Sequence, residues 1–535
     1  MLQSKSGESK SGESKSGGST HHVVLPNEKA LHYLVTDVAV ALEPGDMVTL
    51  SGDLGAGKTT FARALIRRLA GDPAIEVPSP SFTLMQAYEL PRFPLVHADL
   101  YRLSDASELD ELGFDDLPAG AVVLLEWPDR AAGSLPPDRL DIAFTLAPKR
   151  GLDYRDVHIT GRGRFAARAA RLAAERKFLD EAGGGEATRE RIAGDASARS
   201  YQRLTARGRP LILMNSPRRA DGPAVRKSKP YSALAHLAED VTPFVALANG
   251  LRERGFSAPE ILATDLAEGF LLLEDLGSTG VVEGDPPAPI AERYQAAADL
   301  LVALHGQRLP DTLPVTPQLV HRIPSYDLDA LLIEAELLLD WYLPYRGVPV
   351  TGTIRDTYAA MWRDALAPAL AAPRTWVLRD FHSPNLLWLP ERTGIARVGV
   401  LDFQDALMGP AAYDVASLLQ DARVDVPEEL EIELLGRYAT ARRHADAEFD
   451  VASFVQMYST LAAQRAAKIL GIFARLDRRD GKPQYLRHLP RVWNYLERAL
   501  VHPTLARLEL WFQAHVPPPV PPPAPPPPPP VPPPG

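Results

Sequence analysis

The feature that most constrains this chain is a glycine-rich loop between an apolar run and an amphipathic segment. The run is Met47–Leu50, the loop is Gly52–Thr59 with the sequence GDLGAGKT, and the segment Thr60–Leu69 follows. Glycines let backbone N–H groups curl around phosphate oxygens, and the N-terminus of the following helix adds a favourable dipole. The spacing G-x-x-x-x-G-K-[ST] between a strand and a helix therefore predicts a nucleoside phosphate site in an α/β domain.

A phosphate site of this kind also needs charged groups at defined positions. Lys58 is predicted to supply a positive charge to the β- and γ-phosphates, and the Thr59 hydroxyl to bind Mg²⁺. Two acidic residues, Asp99 and Glu126, end apolar runs, where a parallel sheet presents its catalytic groups. Spacing alone leaves open which of them serves the metal.

Composition and charge exclude several other classes of protein. The 535 residues exceed what one hydrophobic core supports, so several domains are expected. A formal net charge of −10 argues against a dedicated binder of nucleic acids or membrane surfaces. The absence of cysteine excludes disulfides, cysteine-ligated metals and thiol catalysis. Because no long apolar run and no secretory signal occur, a soluble cytoplasmic protein is predicted.

The chain divides by composition into two tails, two domains and a connector. Residues 4–18 repeat a five-residue unit without apolar residues, which predicts a disordered tail over 1–20. Residues 516–535 hold fifteen prolines, which predict an extended polyproline II tail. The remaining predicted parts are a P-loop ATPase domain over 21–160, an Arg/Ala-rich helical connector over 161–180 and a second domain over 181–515.

The alternation of patterns predicts an α/β fold. From 30 to 150, short apolar runs alternate with helical stretches, which is typical of a mostly parallel sheet in a P-loop NTPase-like domain. From 191 to 280, strand-like runs surround a predicted helix at 241–254, and the pattern from 290 onward is mainly helical. A small β-rich lobe before a larger helical lobe predicts a bilobal, protein-kinase-like α+β domain.

Two acidic motifs in the second domain each follow an apolar run. Trp376–Leu378 leads into Asp380, and Asn385 lies five residues further on, which is the spacing of a kinase catalytic loop. Val398–Leu401 leads into Asp402, at the place of the metal-binding Asp. Together they predict that Asp380 accepts the proton of a substrate hydroxyl while Asn385 and Asp402 bind Mg²⁺.

Four motifs of the first domain occur in a characteristic order: Gly52–Thr60, Ser79–Leu84, His97–Arg102 and Glu126–Pro128. They resemble the TsaE family, the ATPase subunit of bacterial tRNA threonylcarbamoyladenosine biosynthesis. The resemblance implies ATP and Mg²⁺ as cofactors, with Thr59 and Glu126 on the metal. The implied nucleotide contacts are Gly55, Ala56, Gly57, Lys58, Thr59, Thr60, Glu28 and Trp127, with Asp99 and Thr83 as the switch at the γ-phosphate.

This resemblance also implies partners for the first domain. They are the other subunits of the tRNA threonylcarbamoyladenosine synthesis complex, and the ATPase itself is not required to contact tRNA. The net negative charge agrees with that expectation.

Three motifs characterise the second domain: Asp380-x-His382-x-x-Asn385, Asp402–Asp414 and Gly194–Arg203. The first two resemble the aminoglycoside phosphotransferase family of small-molecule kinases. The third is similar to the nucleotide loop of its AmgK-type members, which phosphorylate N-acetylmuramate and N-acetylglucosamine at the anomeric hydroxyl during cell-wall recycling. The resemblance implies a sugar substrate, and the nucleotide contacts predicted in this domain are Ser197, Arg199, Glu274 and Leu276.

Three alternatives stay open for the second domain. Its acceptor could be an aminoglycoside, choline or another small alcohol. The strand lysine that is usual in kinases is absent from Pro210–Asn215, which would also suit a non-catalytic pseudokinase scaffold. Finally, the fusion of two domains could serve co-localisation alone.

Overall fold

The structure is a computed structural model that describes residues 19–103, 117–131, 133–192, 199–206, 208–219 and 222–520. It forms two compact units, Met1–Asn215 and Ser216–Gly535. The repeat at 4–18 and most of the polyproline tail, 521–535, lie outside the described residues, so the predictions for them stay predictions. Within the described ranges, none of the helices has the length and apolarity that crossing a membrane requires.

The first unit is built around a seven-stranded sheet of order β1-β7-β6-β2-β5-β4-β3. Its strands are β1 Ser19–Leu25, β2 Met47–Ser51, β3 Met85–Glu89, β4 Pro94–Asp99, β5 Val122–Glu126, β6 Arg139–Leu146 and β7 Arg155–Arg162. The helices are α1 Glu28–Ala41, α2 Lys58–Ala70 and α3 Phe165–Glu181. An antiparallel meander of β8 Thr188–Ile192, β9 Ser200–Ala206 and β10 Arg209–Asn215 completes the unit.

The centre of the large sheet is parallel, as predicted, and its edges are antiparallel. β2 pairs in parallel with both β5 and β6, and β4 pairs in parallel with β5. The outer pairs β1–β7, β6–β7 and β3–β4 are antiparallel. Because Leu50 and Asp99 both lie opposite Glu126 in the register, the ends of β2, β4 and β5 meet at one edge of the sheet.

Helix α2 follows the phosphate loop and packs its apolar face into the main core of this unit. Phe61, Leu65 and Leu69 recur every four residues and are buried. Each buried side chain of this size contributes roughly 1.5–3 kcal/mol to folding. Gly71 ends the helix in the left-handed region, with φ 68°.

The predicted connector forms α3, and its polar side chains join a buried network. Arg189 of β8, which is 1% exposed, donates to Asp37 of α1 and to Glu175 of α3. Arg176 of α3 also donates to Asp37, at 2.8 Å, and Gln202 of β9 donates to Glu175 at 3.0 Å. A buried charge without its partner is costly, so these elements stabilise one another as a set.

The second unit contains short strands and a large helical part. Its strands are β11 Ala224–Arg226, β12 Lys229–Pro230, β13 Ile261–Asp265, β14 Phe270–Glu274, β15 Val282–Glu283, β16 Ala288–Pro289, β17 Thr312–Thr316, β18 Leu319–Arg322, β19 Arg374–Val377, β20 Leu386–Trp388, β21 Val398–Val400 and β22 Leu407–Pro410. Its helices are α4 Tyr231–Leu234, α5 Thr242–Glu253, α6 Ala291–His305, α7 Leu328–Ala335, α8 Leu343–Tyr345, α9 Gly352–Ala371, α10 Ala412–Leu419, α11 Glu428–Ala445, α12 Val451–Asp480, α13 Leu489–Leu500 and α14 Ala506–His515.

Two small antiparallel pairs carry the motifs of the second unit. β19 pairs with β22, and β20 pairs with β21. Gly409 on β22 must be glycine, since a Cβ atom there would lie 2.9 Å from the Cβ of Tyr326. The segment after β19 contacts α10, because the backbone N–H groups of Leu378 and Arg379 donate to Asp414.

Candidate active sites

The predicted phosphate loop joins β2 to α2 at the edge of the first sheet. β2 ends at Ser51, and α2 begins at Lys58 with Gly57 as its N-cap. Gly52, Gly55 and Gly57 have positive φ angles of 132°, 78° and 111°. Residues with side chains rarely adopt these angles, so the loop has the glycine-dependent backbone that phosphate binding requires.

Gly52 is required by packing as well as by its backbone angle. A Cβ atom at this position would lie 2.2 Å from the backbone carbonyl oxygen of Phe144 on β6. Because that oxygen belongs to a sheet strand, it cannot move aside as a flexible side chain would. Any substitution at Gly52 therefore displaces the loop.

The Lys58 ammonium is fixed inside the loop. Its Nζ donates to the carbonyl oxygens of Gly52 at 2.7 Å and Asp53 at 3.0 Å. It also lies 3.6 Å from the centroid of the Trp127 ring, a cation–π contact. Burial lowers the pKa of Lys58, while the carboxylate of Glu126 acts in the opposite direction. The positive charge is thus positioned where the phosphates of a nucleotide are expected.

Glu126 and Thr59, the predicted metal ligands of this site, are in contact. The Thr59 hydroxyl donates to Glu126 Oε2 at 2.8 Å, and His97 Nε2 lies 3.0 Å from Glu126 Oε1. Glu126 is 1% exposed and His97 is fully buried. A hydroxyl and a carboxylate oxygen beside a phosphate loop fit Mg²⁺, which takes few protein ligands and completes its shell with phosphate and water.

Asp99, the other acidic candidate, lies beside Glu126 in the register of β4 and β5. Its carboxylate accepts from the Tyr101 backbone at 3.0 Å and from the Ser79 hydroxyl at 3.4 Å. Burial raises the pKa of Asp99, and the negative charge of Glu126 adds to that effect. A cavity of about 350 Å³ is lined by Leu54, Gly55, Gly57, Lys58, Thr59, Thr60, Ser79, Ser81, Asp99, Tyr101, Arg102, Glu126 and Trp127.

Most of the predicted nucleotide residues therefore share one cavity, and three of them, Glu28, Ala56 and Thr83, do not line it. Ala56 is fully buried within the loop. Glu28 is the first residue of α1, and its side chain is 81% exposed. Thr83 is exposed on the segment before β3. Their assignment to the nucleotide stays a prediction. Arg102, whose guanidinium lies 4.1 Å from the Phe82 ring centroid, joins the cavity although spacing did not single it out.

The predicted catalytic loop of the second unit is anchored by two buried carboxylates. Asp414, fully buried on α10, accepts from the backbone N–H groups of Leu378 at 2.6 Å and Arg379 at 2.8 Å. Asp421, also fully buried, accepts from the backbone N–H of Ser383 at 2.8 Å and from its hydroxyl at 2.5 Å. Charge-assisted hydrogen bonds of this kind are stronger than neutral ones, so the loop is held at both ends.

The predicted metal ligands of the second site are brought together by the hairpin β20–β21. The Leu401 backbone N–H donates to the Asn385 carbonyl oxygen at 2.9 Å, and Asp402 follows directly. The Asn385 side chain donates to the Asp380 carbonyl oxygen at 2.9 Å. Gln404 donates to Asp402 Oδ1 at 2.8 Å. The amide and carboxylate oxygens fit Mg²⁺ in the same way as those of the first site.

Neither proposed metal position has a closed set of protein ligands. Within the described residues, no group of three or more histidines and carboxylates gathers in a way that would hold a metal. When a nucleotide brings Mg²⁺, phosphate and water oxygens complete the octahedron of the metal.

A buried charge network lies next to the catalytic loop, and spacing did not predict it. Glu334 on α7 is fully buried and accepts from Arg379, from Lys468 at 2.8 Å and from the Tyr326 hydroxyl at 2.5 Å. Burial raises the pKa of Glu334, but the charges of Arg379 and Lys468 outweigh it and lower the value to about 2. A lone acid within an apolar run, LLIEA over 331–335, was the available signal for such a pair.

Asp380, the predicted base, has several positive groups around it. Its side chain is 36% exposed, and its Oδ1 lies 4.0 Å from His382 Nε2. Partial burial raises the pKa of Asp380. The charges of Lys468, His382, Arg379 and Arg465 have the opposite and larger effect, so the pKa lies below its usual range. The carboxylate is therefore ionised at neutral pH and available to accept a proton.

The nucleotide contacts predicted for the second domain are less complete. Ser197 lies outside the described residues, and Arg199 directly precedes β9. The segment with Glu274 and Leu276 is expected to contact adenine through its backbone, and the Glu274 carboxylate accepts from Arg392 at 2.7 Å. Leu276 belongs to a small apolar cluster beside the hairpin β20–β21. All four assignments stay predictions.

Comparison with known sequences identifies both halves. The profile of the family described as threonylcarbamoyl adenosine biosynthesis protein TsaE matches residues 25–152, and that of the phosphotransferase enzyme family matches residues 188–452. An N-acetylmuramate/N-acetylglucosamine kinase of Caulobacter vibrioides is 39% identical over 360 residues, 65% of this chain and 97% of the relative. A kinase of the same name from Pseudomonas aeruginosa is 36% identical over 318 residues, 59% of this chain and 84% of the relative.

The first domain has relatives of its own. A tRNA threonylcarbamoyladenosine biosynthesis protein TsaE of Rickettsia felis is 38% identical over 120 residues, 22% of this chain and 70% of the relative. Both matches confirm the prediction of an ATP-dependent enzyme that uses Mg²⁺ and carries a kinase domain. The chain therefore belongs to two families, to the TsaE family through its first domain and to the phosphotransferase enzyme family through its second.

Proposed function

We propose that the second domain transfers the γ-phosphoryl group of ATP to the anomeric hydroxyl of N-acetylmuramate or N-acetylglucosamine. The observation that carries this proposal is the 39% identity over 97% of the Caulobacter kinase, whose name states those two sugars. The catalytic loop supports it, because Asn385 donates to the Asp380 carbonyl oxygen and its own carbonyl oxygen accepts from Leu401, the residue before Asp402. The physiological role would be recycling of cell-wall sugars.

The proposed reaction follows from the groups around Asp380. The sugar hydroxyl oxygen forms a bond to the γ-phosphorus, the bond from that phosphorus to the bridging oxygen breaks, and ADP leaves. Asp380 orients the hydroxyl and accepts its proton, which its low pKa allows at neutral pH. Asn385 and Asp402 would hold Mg²⁺, which neutralises phosphate charge when bound.

Two features of the catalytic loop support a catalytic role over a scaffolding role. Asp414 and Asp421 hold the backbone of the loop through charge-assisted hydrogen bonds. Nearby positive charges keep the pKa of Asp380 below its usual range, so its carboxylate is available as a proton acceptor. The choice of a sugar over an aminoglycoside or choline rests on the similarity to the Caulobacter kinase.

Phosphorus NMR of the reaction product tests the proposed acceptor. The full chain carries Lys58→Ala so that the first site does not consume ATP in the background. With N-acetylmuramate and ATP, a doublet from an anomeric phosphate is the expected result. Turnover of kanamycin or choline, with no product from either sugar, would overturn the proposal.

We further propose that the first domain is the ATPase subunit that supports N6-threonylcarbamoyladenosine modification of tRNA. The similarity to the Rickettsia felis TsaE protein supports this assignment, as does the gathering of Lys58, Thr59 and Glu126 in one cavity. Its partners would be the other subunits of that complex in the cytoplasm. The domain contributes ATP hydrolysis and need not contact the tRNA.

Complementation of a strain depleted of its own TsaE tests this second role. Lys58→Ala removes the charge that meets the phosphates and should abolish rescue of the tRNA modification. Asp380→Asn, which changes only the kinase site, is the matched control and should rescue fully. Full rescue by Lys58→Ala would contradict the assignment.

A further inference from the structure

The first strand of the second domain, β8, packs against helix α1 of the first domain. β8, β9 and β10 begin the segment 188–452 that matches the phosphotransferase enzyme family, whereas α1 and α2 belong to the segment 25–152 that matches the TsaE family. These elements, with α3 between them in the sequence, lie within one compact unit. The strands of one family's segment therefore have packing partners in the segment of the other.

The side chain of Arg189 on β8 is the centre of these contacts. Its guanidinium is 1% exposed and donates to Asp37 of α1 and Glu175 of α3. It also donates to the side-chain oxygen of Gln202 on β9 at 2.7 Å, so one side chain joins both strands of the β8–β9 hairpin. Asp37 is itself only 8% exposed. Because separating a buried ion pair leaves an unpaired charge, Arg189 and Asp37 fix each other's position.

Two further contacts hold the backbone of β8 and the end of β10. Arg68, on the last turn of the phosphate-loop helix α2, donates to the backbone carbonyl oxygen of Arg189. The Asn215 amide at the end of β10 donates to Glu175 at 2.8 Å and accepts from Arg171 of α3 at 2.7 Å. Helices α1, α2 and α3 thus each contribute a charged side chain that holds these strands.

The β8–β9 hairpin also carries a nucleotide contact predicted from the sequence. Arg199 directly precedes β9, next to the pairing of Ile192 with Tyr201. A misplacement of about 1 Å in a substrate-positioning group can cost roughly a hundredfold in rate. We propose that the first domain, through Asp37 and Arg68, positions this hairpin for ATP in the kinase reaction. This proposal rests on the proposed kinase function and makes both side chains positioning residues for it.

The first test removes the contact between α2 and β8. Arg68 is exposed, so Arg68→Met removes its hydrogen bond to Arg189 with little effect on the core. The full chain carries Lys58→Ala, so that the first site consumes no ATP. The KM for ATP with N-acetylmuramate should rise roughly fivefold, while kcat and the KM for the sugar change little.

Arg67→Met is the matched control for this variant. Arg67 lies on the same turn of α2 and donates to the Ile75 carbonyl oxygen at 3.2 Å, within the first domain. The substitution removes the same charge and a hydrogen bond of the same kind, but not the contact to β8. Equal KM values for ATP in Arg67→Met and Arg68→Met would overturn the role of Arg68.

The second test neutralises the buried acid. Asp37→Asn keeps the size of the side chain and removes the charge that faces Arg189, so the KM for ATP should rise roughly tenfold. Asp46→Asn is the matched control, because Asp46 is 2% exposed and accepts from Arg168 of α3 at 2.7 Å. Both variants should lower Tm, but only Asp37→Asn should raise the KM for ATP.

A purely structural role of Asp37 would give a different result. Partial unfolding reduces the fraction of active enzyme, which lowers kcat and leaves the KM for ATP unchanged. That pattern in Asp37→Asn, or equal KM values for ATP in Asp37→Asn and Asp46→Asn, would refute the positioning by Asp37. If Asp37→Asn does not fold, the comparison of Arg68→Met with Arg67→Met decides.

Nucleotide binding separates this proposal from the proposed function. If the unaltered chain phosphorylates neither sugar, the sugar kinase assignment fails, and the affinity of the Lys58→Ala chain for a fluorescent ATP analogue replaces KM in the same comparisons. Weaker binding in Arg68→Met and Asp37→Asn than in their controls would then support the positioning of the hairpin. Equal binding would refute it, even in a chain that phosphorylates the sugars.

Discussion

The two phosphoryl-transfer sites of this chain are held in different ways. The first depends on backbone conformation, because Gly52, Gly55 and Gly57 adopt angles that side chains disfavour. The second depends on buried charge, because Asp414 and Asp421 hold the backbone of the catalytic loop. One site is thus sensitive to added atoms, and the other to removed charges.

The two loops also differ in how far along the sequence the residues that hold them lie. The first loop lies between β2 and α2, and its motif is formed by consecutive residues, although Glu126, Trp127 and Arg155 contact it from later in the sequence. The second loop is positioned by residues that follow it by about forty positions, and by Glu334, which precedes it. A local motif is preserved by a short sequence, whereas a distributed one depends on the packing of α7, α10 and α12.

The largest expected effect is the loss of kinase turnover in Asp380→Asn. The amide cannot accept the proton of the sugar hydroxyl, and general bases contribute roughly a hundred- to ten-thousandfold in rate. We expect kcat to fall by about a thousandfold with little change in the KM for ATP, measured as ADP release in the Lys58→Ala chain. Unchanged kcat would remove Asp380 from the base role.

The contrast between a loop of consecutive residues and a loop held by distant charges explains how well the sequence predicts each site. Lys58, Thr59 and Glu126 were predicted and share one cavity, because spacing in a parallel sheet determines where strand ends meet. The kinase loop was predicted from two motifs together, the D-x₄-N spacing of Asp380 and Asn385 and the Asp402 motif, each of which follows an apolar run. Its anchors were not all predicted, since no periodicity links Glu334 to Lys468, 134 positions later, before the helices pack.

The family resemblance also assigned roles to residues that the structure does not place in the nucleotide cavity. Glu28 and Thr83 were assigned to the nucleotide on resemblance only, and neither lines the cavity of the first site. Asp414 was predicted only as part of a motif, and the structure gives it the role of a backbone acceptor. A motif thus predicts that a residue matters before it predicts the contact it makes.

The second prediction concerns a charge that anchors the kinase loop. Asp414→Ala removes a fully buried acceptor of two backbone N–H groups, which leaves both unsatisfied. We expect a loss of about 4 kcal/mol in the free energy of unfolding of the second unit. Urea denaturation followed by tryptophan fluorescence reports on that unit, because six of the seven tryptophans lie in it.

Asp425→Ala is the matched control for this charge. Asp425 pairs with Arg491, but its side chain is 74% exposed. An exposed pair contributes about 1 kcal/mol or less. If Asp414→Ala destabilises the chain no more than Asp425→Ala, the view that buried carboxylates hold the loop is wrong.

The third prediction adds an atom to the phosphate loop. Gly52→Ala places a Cβ atom 2.2 Å from the Phe144 carbonyl oxygen. Overpacking of this kind costs about 2 kcal/mol, so nucleotide binding should weaken by roughly thirtyfold. Binding of a fluorescent ATP analogue is measured in an Asp402→Ala chain, so that the kinase site contributes little. Gly45→Ala is the control, because no atom lies within 4 Å of its Cβ position and Gly45 is in a turn before β2. Equal affinities in the two variants would contradict the packing argument.

The smallest expected effect concerns a side chain that supports the loop from outside. Arg155 on β7 donates from Nε to the Ala56 carbonyl oxygen at 2.9 Å and from Nη1 to the Leu152 carbonyl oxygen at 2.7 Å. Arg155→Met keeps most of the apolar stem and removes both bonds, together with the bond from Nη1 to the Tyr154 carbonyl oxygen at 3.1 Å. One such bond contributes about 1 kcal/mol, so ATP affinity of the first site should fall about fivefold.

Arg150→Met, which changes an exposed partner of Asp156, removes the same charge nearby and should leave the affinity unchanged. A fivefold loss in both variants would mean that the charge, rather than the hydrogen bond to the loop, is what matters; a loss in neither would mean that the glycine backbone alone holds the loop.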